Sequence, residues 1–472
     1  MIHTVRQIKE YCGVIGIHGH SEAAAMAYLG LYSLQHRGQE AAGIVSSDSE
    51  RVYAHTGQGL VNEVFSSPET IAKLKGHLAI GHNRYSTTGS DKKINVQPIL
   101  VNYKDGPLAL GHNGNLVNAR ALRVRLEEEG SLFQTTTDSE ILVHLIAKSR
   151  QLRIEDRVRE ALSRVRGAYS LVMLTRNKLL VARDPFGFRP LALGRLNGAV
   201  VVASETCAMD LIGAEYERDI RPGELLIVDE TGVRSETMTE PCDPAHCIFE
   251  FIYFSRPDSR IFGECVDKTR RKLGEYLAEE HPADADIVIS VPDSGNTAAL
   301  GFARRSGIPF ELGLIRNHYI GRTFIQPKQS IRHFNVKVKF NPIEGVLNGK
   351  RIVVVEDSIV RGTTLRVLTQ LLRKAGAKEV HVRVSSPPIC YPCFYGMDFP
   401  TREELIASTQ SIEEIRQHLE ADSLGYLSME GLLSAAPQAG CGYCRACFDG
   451  AYPDPPDASF EKTQYESPFR EA

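Results

Sequence analysis

The stretch KRIVVVEDSIVRGTTLRVLTQLLRKAGAKEVHVRVSS, at residues 350–386, constrains the fold more than any other part of the chain. It contains an apolar run, a polar turn, a helix-length segment with apolar residues at helical spacing, and a second apolar run. Such strand–helix–strand units place parallel strands in a sheet that is buried on both faces. Residues 285–307, ADIVISVPDSGNTAALGFARRSG, begin the same pattern. We therefore expect residues 241–450 to form an α/β domain with a mainly parallel sheet.

Residues 12–240 have a different pattern. Short apolar runs alternate with glycine and asparagine turns, as in LAIGHNRYSTTG and LALGHNGNL, which is typical of strands and hairpins. Helical stretches interrupt them at residues 21–36 and 138–149, the second with Thr137 or Asp138 as its N-cap. Strands with segregated helices predict an α+β layered domain. Two domains are also expected because 472 residues exceed what one hydrophobic core usually supports.

Composition narrows the class of protein. An apolar fraction of 42%, a charged fraction of 24% and a net charge of −3 are those of a soluble globular chain without general affinity for nucleic acid or membranes. Residues 1–11 lack the apolar core of a secretory signal, so we expect a cytoplasmic protein in which any removal of this leader is maturation. Residues 451–472 are polar and proline-rich, and we expect a poorly ordered tail.

The turn after the strand predicted at residues 352–355 carries the strongest local indication of chemistry. Glu356 and Asp357 follow the strand, and Gly362 opens a helix. The backbone amides of such a turn, together with the helix dipole and threonine hydroxyls, suit a phosphate monoester. The two carboxylates can accept hydrogen bonds from vicinal ribose hydroxyls. A carboxylate pair that merely solvates a strand end is the alternative.

This turn resembles the phosphoribosyl pyrophosphate (PRPP) signature of the type I phosphoribosyltransferases. The resemblance implies a PRPP site made of Glu356, Asp357, Ser358, Gly362, Thr363 and Thr364. Magnesium is expected at Ser294, Glu356 and Asp357, because Ser294 lies in a second strand-to-helix loop suited to the pyrophosphate. Residues 317–339 are basic and glycine-hinged, and resemble a flap that closes over an anionic substrate. An ordinary solvated loop is the alternative for that segment.

Cys12 stands at the entrance to an apolar run, after a charged leader. It is either a small buried hydrophobe or, if the leader is removed, a residue that carries both a thiol and a free α-amine. Acyl transfer by a thiol requires an activated nucleophile, an oxyanion hole and a clamp for the substrate. Asn113 and Gly114 are candidate oxyanion donors. Arg84 suits a carboxylate, and Asp138 suits an ammonium group.

Together and in this order, these motifs resemble the N-terminal-nucleophile (Ntn) glutamine amidotransferases, whose fold is a layered αββα arrangement. The resemblance implies that Cys12 is the nucleophile and that its α-amine is the general base. It also implies that Asn113 and Gly114 form the oxyanion hole and that Arg84 and Asp138 clamp glutamine. Removal of residues 1–11 as a propeptide is then required, because the lone pair of an amide nitrogen is delocalised and cannot accept the proton.

Ten cysteines, clustered toward the end of a chain without an export signal, favour metal binding over disulfides. Cys441, Cys444 and Cys447 have two consecutive CxxC spacings, and cysteines from AHCIF and YPCFYG complete a set of four. Zinc and an iron–sulfur cluster are both compatible with such a set. Unliganded buried thiols are the remaining alternative.

Several long motifs, among them FIYFSRPDS, GRTFIQP, EDSIVRGTT and SSPPICYPCFYG, occur in one order. They make the chain from Cys12 to about Tyr452 similar to the glutamine PRPP amidotransferase family, in the branch with a propeptide and a 4Fe–4S cluster. The ligands of that structural cluster correspond here to Cys247, Cys393, Cys444 and Cys447. Cys390 lies close to Cys393 in the sequence, and Cys441 lies close to Cys444. Which cysteine of each pair binds the cluster therefore stays open.

The resemblance implies an enzyme that hydrolyses glutamine and transfers the ammonia to PRPP, giving 5-phosphoribosylamine, glutamate and pyrophosphate. It also implies feedback inhibition by purine nucleotides and assembly as a homotetramer or homodimer. Because ammonium has no lone pair to attack with, a water-poor channel is expected between the two sites when the flap closes. The rival hypothesis is a regulatory protein of phosphoribosyltransferase fold that senses PRPP or nucleotides, which leaves Cys12 and its clamp unexplained.

Overall fold

The computed structural model describes residues 12–85, 93–238, 242–317, 339–397, 399, 401–440 and 442–457. Four sequence predictions lie wholly or largely outside these residues. They concern the leader, the GRTFIQP flap, Cys441 and the last part of the tail. None of the helices in the described residues is both long enough and apolar enough to span a membrane.

The first part of the chain alternates strands with short helices. Its strands are β1 (Gly13–His18), β2 (Ala41–Ser47), β3 (Val52–Gln58), β4 (Leu78–Arg84), β5 (Ile99–Tyr103), β6 (Gly106–Leu116), β7 (Gly167–Leu174), β8 (Leu179–Arg183), β9 (Ala192–Leu196), β10 (Ala199–Ala203), β11 (Glu215–Asp219), β12 (Glu224–Asp229) and β13 (Gly232–Thr237). Its helices are α1 (Ala23–Ser33), α2 (Val61–Val64), α3 (Pro68–Ala72), α4 (Ala119–Glu128), α5 (Ser139–Lys148), α6 (Ile154–Leu162) and α7 (Thr206–Ile212), with short 3₁₀ turns at Gln35–Arg37 and Lys93–Asn95.

These strands form two antiparallel sheets packed face to face. One has the order β11-β9-β10-β1-β4-β2-β3 and the other β13-β12-β8-β7-β6-β5. Successive side chains of a strand point to opposite faces of its sheet, so each strand contributes to one core between the sheets and to a second core under the helices. In β10, Val200 and Val202 pack between the sheets beside Val172, whereas Val201 faces helix α1 and its Leu31. Helices α4, α5 and α6 cover the outer face of the second sheet. This arrangement confirms the expected αββα layering.

The second part of the chain has strands β14 (His246–Cys247), β15 (Arg260–Ile261), β16 (Glu264–Cys265), β17 (Ile287–Ser290), β18 (Leu314–Arg316), β19 (Phe340–Pro342), β20 (Arg351–Glu356), β21 (Glu379–Val384), β22 (Ser423–Tyr426) and β23 (Tyr443–Cys444). Its helices are α8 (Val266–Glu280), α9 (Asn296–Ser306), α10 (Glu344–Leu347), α11 (Thr363–Lys374), α12 (Ile406–Thr409), α13 (Ile412–Leu419), α14 (Met429–Ala435) and α15 (Ala446–Asp449), with a π-helix at Glu250–Phe254 and 3₁₀ turns at Arg402–Glu404 and Pro437–Gly440.

Strands β17, β20, β21 and β22 form a parallel sheet in the order β17-β20-β21-β22. Both faces of β20 are buried, which is why its sequence is apolar without alternation. Val353 and Val355 pack toward α8 and α9, and Ile352 and Val354 pack toward α11 and α13. The predicted mainly parallel α/β sheet is confirmed, and its carboxyl-terminal edge is where ligands bind in such folds.

The prediction of poor order is wrong for residues 452–457. The Tyr452 hydroxyl donates to the Pro392 carbonyl at 2.7 Å. Asp454 accepts a hydrogen bond from the Gly167 N–H at 2.8 Å and pairs with Arg166 at 2.6 Å. The sequence suggested a loose segment because it is polar and proline-rich. Specific partners 60 and 287 residues earlier in the chain hold it instead.

Candidate functional site

Cys12 lies at the point where β1 enters the first sheet. Gly13 pairs with Asn83 of the antiparallel neighbour β4, which places Cys12 beside Arg84 at the end of that strand. The thiol is 6% exposed, and its Sγ lies 3.6 Å from the Tyr85 carbonyl oxygen. Burial raises the pKa of Cys12 to about 12, although the Arg84 charge opposes the shift. The thiol therefore needs a proton acceptor beside it to become a nucleophile.

Asn113 and Gly114 lie side by side in β6, opposite Ser170 and Tyr169 of β7. Asn113 is fully buried, and neither its Oδ1 nor its Nδ2 finds a hydrogen-bond partner among the described residues. Buried amide groups are normally paired, so this side chain is available to a bound ligand. Gly114 has φ +155°, and a Cβ added there would lie 2.1 Å from the Ala168 carbonyl oxygen. Only glycine fits that position.

Asp138 occupies the N-cap position of α5, as predicted, but its carboxylate does not cap that helix. It accepts hydrogen bonds from the Leu116 N–H at 2.8 Å and from the Ser139 hydroxyl at 3.3 Å. The His112 ring lies 3.7 Å away. Burial raises the pKa of Asp138, but the His112 ring and these donors outweigh it and hold the pKa below its usual value. The group is therefore a buried anion, suited to a substrate ammonium.

The predicted glutamine-site residues share one electrostatic environment. The charges of Arg84 and Asp138 both act on the Cys12 thiol. Sheet pairing brings Arg84 to that thiol. Strand β6, in the second sheet, packs against β4 of the first sheet, where the His82 ring contacts the His112 carbonyl oxygen at 3.0 Å.

Sequence reasoning missed Arg37, which is fully buried and whose Nε donates to the Cys12 carbonyl oxygen at 3.3 Å. No local pattern marks this arginine.

A second site lies beyond the carboxyl ends of β17 and β20, in a cavity of about 160 Å³. Every residue predicted to bind PRPP or magnesium lines this cavity, which is formed by Tyr253, Val291, Pro292, Ser294, Lys339, Phe340 and the continuous run from Glu356 to Leu365. Gly362 has φ +71° and immediately precedes α11, whose first turn faces the cavity with Thr363 and Thr364. A helix amino terminus in this position attracts phosphate.

Two adjacent carboxylates set the charge of this cavity. Burial and the neighbouring Asp357 carboxylate raise the pKa of Glu356 well above its usual value. The Asp357 N–H donates to Glu356 Oε1 at 3.1 Å, and the Ser358 hydroxyl donates to Asp357 Oδ1 at 2.6 Å. Ionising both carboxylates is unfavourable without a cation or several hydrogen-bond donors. The pair is therefore prepared for magnesium or for ribose hydroxyls.

Three polar lining residues were not named in the predicted site. Arg361 lies inside the predicted loop, and its positive charge was a usable indication of anion binding. Lys339 ends the predicted flap segment and reaches the same cavity. Tyr253 comes from the π-helix, about 100 residues before the loop, and nothing local in the sequence connects it with this site.

Four cysteines line a third, small cavity of about 20 Å³. They are Cys247, Cys393, Cys444 and Cys447. Parallel pairing of β14 with β23 places Cys247 opposite Cys444. Cys390 does not line the cavity, and its thiol instead contacts the Pro388 and Ala407 carbonyl oxygens. Cys441 lies outside the described residues.

The four thiols influence one another across this cavity. Burial is the main reason that the pKa of Cys247 is raised to about 11, with the Arg189 charge opposing the rise and Glu250 and the Cys393 thiol adding to it. The Cys393 Sγ accepts hydrogen bonds from the Tyr395 and Met397 N–H groups, each at 3.4 Å. Within the described residues, no three His, Cys, Asp or Glu side chains are grouped to hold a single metal ion. Four thiols thus line one cavity.

Two domain families match consecutive segments of the chain. The glutamine amidotransferase domain matches residues 82–210, and the phosphoribosyl transferase domain matches residues 264–386. The amidophosphoribosyltransferase of Bacillus subtilis (strain 168) is 52% identical over 458 residues, covering 96% of each chain. Amidophosphoribosyltransferase 1, chloroplastic, of Arabidopsis thaliana is 53% identical over 450 residues, covering 95% of this chain and 79% of that protein.

Solved structures agree over nearly the same length. One, described as the allosteric regulatory enzyme of purine biosynthesis, has a TM-score of 0.91 and 52% identity, and covers 95% of this chain and 97% of that chain. The B. subtilis glutamine PRPP amidotransferase complexed with ADP and GMP also has a TM-score of 0.91, with 51% identity and coverage of 95% and 98%.

Proposed function

The chain belongs to the amidophosphoribosyltransferase family, and from this premise we propose that it carries out both half-reactions of that activity. It hydrolyses glutamine to glutamate and ammonia, and ammonia displaces pyrophosphate from PRPP to give 5-phosphoribosylamine, the first committed step of purine biosynthesis. The observation that carries the proposal is the cavity lined by Glu356, Asp357 and Thr363, in one chain with the buried Cys12 and its free Asn113 amide.

Glutamine hydrolysis begins at Cys12. The raised pKa of its thiol, about 12, calls for an adjacent base. A free α-amine has a pKa of about 7.7–8.0, so at neutral pH it can accept the thiol proton. We therefore propose that residues 1–11 are removed. The thiolate then attacks the side-chain carbonyl carbon of glutamine, and the proton passes to the departing ammonia.

The remaining residues of this site bind and orient the substrate. Arg84 pairs with the glutamine α-carboxylate, and Asp138 pairs with the α-ammonium. The Asn113 Nδ2 and the Gly114 N–H donate to the oxyanion of the tetrahedral intermediate, where preorganised donors are worth about 3 kcal/mol each. Water subsequently hydrolyses the thioester to glutamate.

The second half-reaction takes place in the cavity above β20. The amino terminus of α11, with Thr363 and Thr364, holds the 5-phosphate, and the two carboxylates accept hydrogen bonds from the ribose hydroxyls. Ammonia attacks C1 as pyrophosphate leaves through an oxocarbenium-like state. The Lys339 and Arg361 side chains, which line the cavity, add positive charge beside the anionic substrate.

Oxygen donors in this cavity fit magnesium. Ser294, Glu356 and Asp357 would hold the ion, which retains water and substrate phosphate oxygens as its other ligands. When bound, Mg²⁺ neutralises charge on the pyrophosphate leaving group. The raised pKa of Glu356 is consistent with this assignment, since a nearby cation favours the ionised carboxylate.

Ammonia must reach the second cavity without protonation. We propose that a water-poor path forms between the two sites when the GRTFIQP segment closes over PRPP. The test supplies glutamine labelled at its amide nitrogen together with unlabelled ammonium at equal concentration. Product labelled almost entirely from glutamine is expected, and equal incorporation from both sources would mean that there is no such path.

We propose that the four-thiol cavity holds a 4Fe–4S cluster, because the family resemblance implies one and four cysteines line the same cavity. Cys247, Cys393, Cys444 and Cys447 would hold it. When bound, the cluster ties the β14–β23 pair to the loop at Cys393. Protein purified without oxygen should contain about four irons per chain. Cys393→Ser should lose this iron, whereas the control Cys390→Ser should retain it.

Several properties of relatives extend to this chain as proposals. We propose purine nucleotide inhibitors because one relative was solved with ADP and GMP. A homotetramer or homodimer and a cytoplasmic location are proposed on the family resemblance. Residues 12–240 and 241–450 are proposed as the extents of the two catalytic domains.

One assay distinguishes this enzyme from a regulatory PRPP-binding protein. Pyrophosphate release is measured with PRPP and glutamine together, and with each substrate alone. Release that requires both substrates is expected. The intact mass of the active protein should correspond to a chain that begins at Cys12, and full activity with the leader attached would refute the base mechanism. Binding of PRPP without turnover would favour the regulatory protein.

A further inference from the structure

Four fully buried charges form a cluster between the two parts of the chain. We call it the four-charge cluster, and it consists of Arg37, Arg189, Glu205 and Glu250. Its two positive and two negative charges balance. A buried ion pair contributes little net stability compared with apolar residues of the same size. Packing alone therefore does not explain why this position holds four charges.

Glu250 is the member that joins the others. It accepts hydrogen bonds from Arg37 Nη2 at 2.8 Å and Nη1 at 3.2 Å, which is a bidentate contact. It also accepts from Arg189 Nη1 at 3.1 Å. Glu205 contacts Arg37 from the other side. Because the geometry of such pairs is directional, Glu250 fixes the orientation of both guanidinium groups.

The two arginines, oriented by Glu250, make hydrogen bonds at two different sites. Arg37 Nε donates to the Cys12 carbonyl oxygen at 3.3 Å. Arg189 donates to the Tyr395 carbonyl oxygen at 3.2 and 3.0 Å and contacts the Met397 Sδ at 3.6 Å. Tyr395 and Met397 line the four-thiol cavity. One carboxylate thus lies between the candidate nucleophile and the cysteine cavity.

Glu250 is also the first residue of the π-helix Glu250–Phe254. Three residues after Glu250, the same helix presents Tyr253 to the PRPP cavity. The Phe254 ring lies under the Arg37 guanidinium, 4.5 Å from ring centre to Cζ. Arg270 donates to the Phe251 carbonyl oxygen at 2.6 Å and holds the helix in place. The element that carries Glu250 therefore contacts both catalytic regions.

We propose that Glu250 is a positioning residue for the glutaminase reaction, acting from the second domain through Arg37 on the main chain of Cys12. The Cys12 Cα bears both the thiol and the proposed α-amine base, so a shift of its carbonyl moves nucleophile and base together. This inference rests on the proposed function. It adds that the second domain sets the geometry of the thiol site, with Arg189 extending the same contact to the cysteine cavity.

The test substitutes Glu250→Gln, which preserves shape and removes the charge. Displacing a reacting group by about 1 Å can cost a hundredfold in rate, so kcat with glutamine should fall by about tenfold to a hundredfold. The KM for glutamine should change less than about twofold, because the proposed glutamine clamp, Arg84 and Asp138, is held by β4 and by the start of α5. Ammonia-dependent synthesis should stay within about threefold of wild type, since it does not use Cys12.

Glu224→Gln is the matched control. Glu224 is 2% exposed and accepts from Arg218 at 2.8 and 2.6 Å, but it lies in β12, within the second sheet. This control reports the effect of neutralising a buried carboxylate elsewhere, and both activities should respond to it equally. Glu250→Asp keeps the charge and should recover part of the glutamine-dependent kcat.

Two results would overturn the inference. One is a proportional fall of the glutamine- and ammonia-dependent rates in Glu250→Gln, and the other is the same selective loss in Glu224→Gln. If Glu250→Gln does not fold, Glu250→Asp supplies the test, with a smaller but still selective loss expected and a proportional loss overturning it. A wild-type enzyme inactive with glutamine would instead contradict the proposed function.

Discussion

The two catalytic regions are assembled in opposite ways. The PRPP cavity takes ten consecutive lining residues from one stretch, Glu356 to Leu365. The thiol site collects Cys12, Arg84, Asn113 and Asp138 from the start of β1, the end of β4, the middle of β6 and the start of α5. The PRPP cavity therefore depends on local backbone conformation, whereas the thiol site depends on strand register.

This difference determines how each site can fail. A slip of β4 by one residue would turn Arg84 to the opposite face of the sheet and dismantle the clamp. The phosphate turn needs only a strand end, Gly362 with positive φ and a helix start. It is robust to distant changes but sensitive to substitutions within the turn.

The largest expected effect is the loss of one activity while the other is retained. Cys12→Ser should lower glutamine-dependent pyrophosphate release by about three orders of magnitude or more, because a serine hydroxyl is a poorer nucleophile with this base. Ammonia-dependent release should remain near the wild-type rate. Both rates are measured on one preparation. Loss of both would mean that Cys12 supports the fold and not only the first half-reaction.

A substitution in the phosphate turn should remove both activities together. Asp357→Asn loses a carboxylate that is paired with Ser358 and lines the cavity, and we expect about a hundredfold loss with either nitrogen donor. Asp284→Asn is the control, because Asp284 is 90% exposed and pairs with Arg351 at the other end of β20. A loss confined to glutamine would show that the two regions are not separable in this way.

Gly114→Ala tests the register-dependent region. The added Cβ would lie 2.1 Å from the Ala168 carbonyl oxygen, so β6 must move. We expect about 1–3 kcal/mol of destabilisation and a selective fall in glutamine-dependent kcat. Gly198→Ala is the control, since Gly198 has φ +89° with nothing within 4 Å of the added Cβ. Equal kinetic effects in the two variants would rule out an oxyanion role for Gly114.

The smallest expected effects are changes in thermal stability. They distinguish two carboxylates whose pKa values are shifted in opposite directions. The pKa of Asp138 is lowered from 3.8, so its ionisation stabilises the fold above about pH 4, and that stability is lost as pH falls through the lower folded pKa. The pKa of Glu356 is raised, so its ionisation destabilises the ligand-free fold once pH exceeds the folded pKa.

Accordingly, at pH 8 without ligands, Asp138→Asn should lower the Tm and Glu356→Gln should raise it, each by a few degrees for about 1 kcal/mol. Thermal unfolding from pH 4 to pH 8 measures both differences. Shifts of the same sign would contradict the assigned environments.

The sequence was sufficient for both fold classes and for the part of the PRPP cavity formed by Ser294 and the turn after β20, but not for Tyr253. Apolar runs and strand-to-helix turns are local patterns, and they survived unchanged in β17, β20 and α11. Arg37 and Glu250 were not predictable, because 213 residues separate them and neither alters a local pattern. Which thiols share a cavity likewise depends on the β14–β23 pairing and not on CxxC spacing alone.

The contact of Asp454 with Gly167 spans 287 residues and bears on when the protein matures during synthesis. Gly167 begins β7, the partner of the strand that holds Asn113 and Gly114. A ribosome must therefore translate both catalytic regions before Asp454 can bind this edge of the first sheet pair. A nascent chain that ends before Asp454 would lack this contact beside β7.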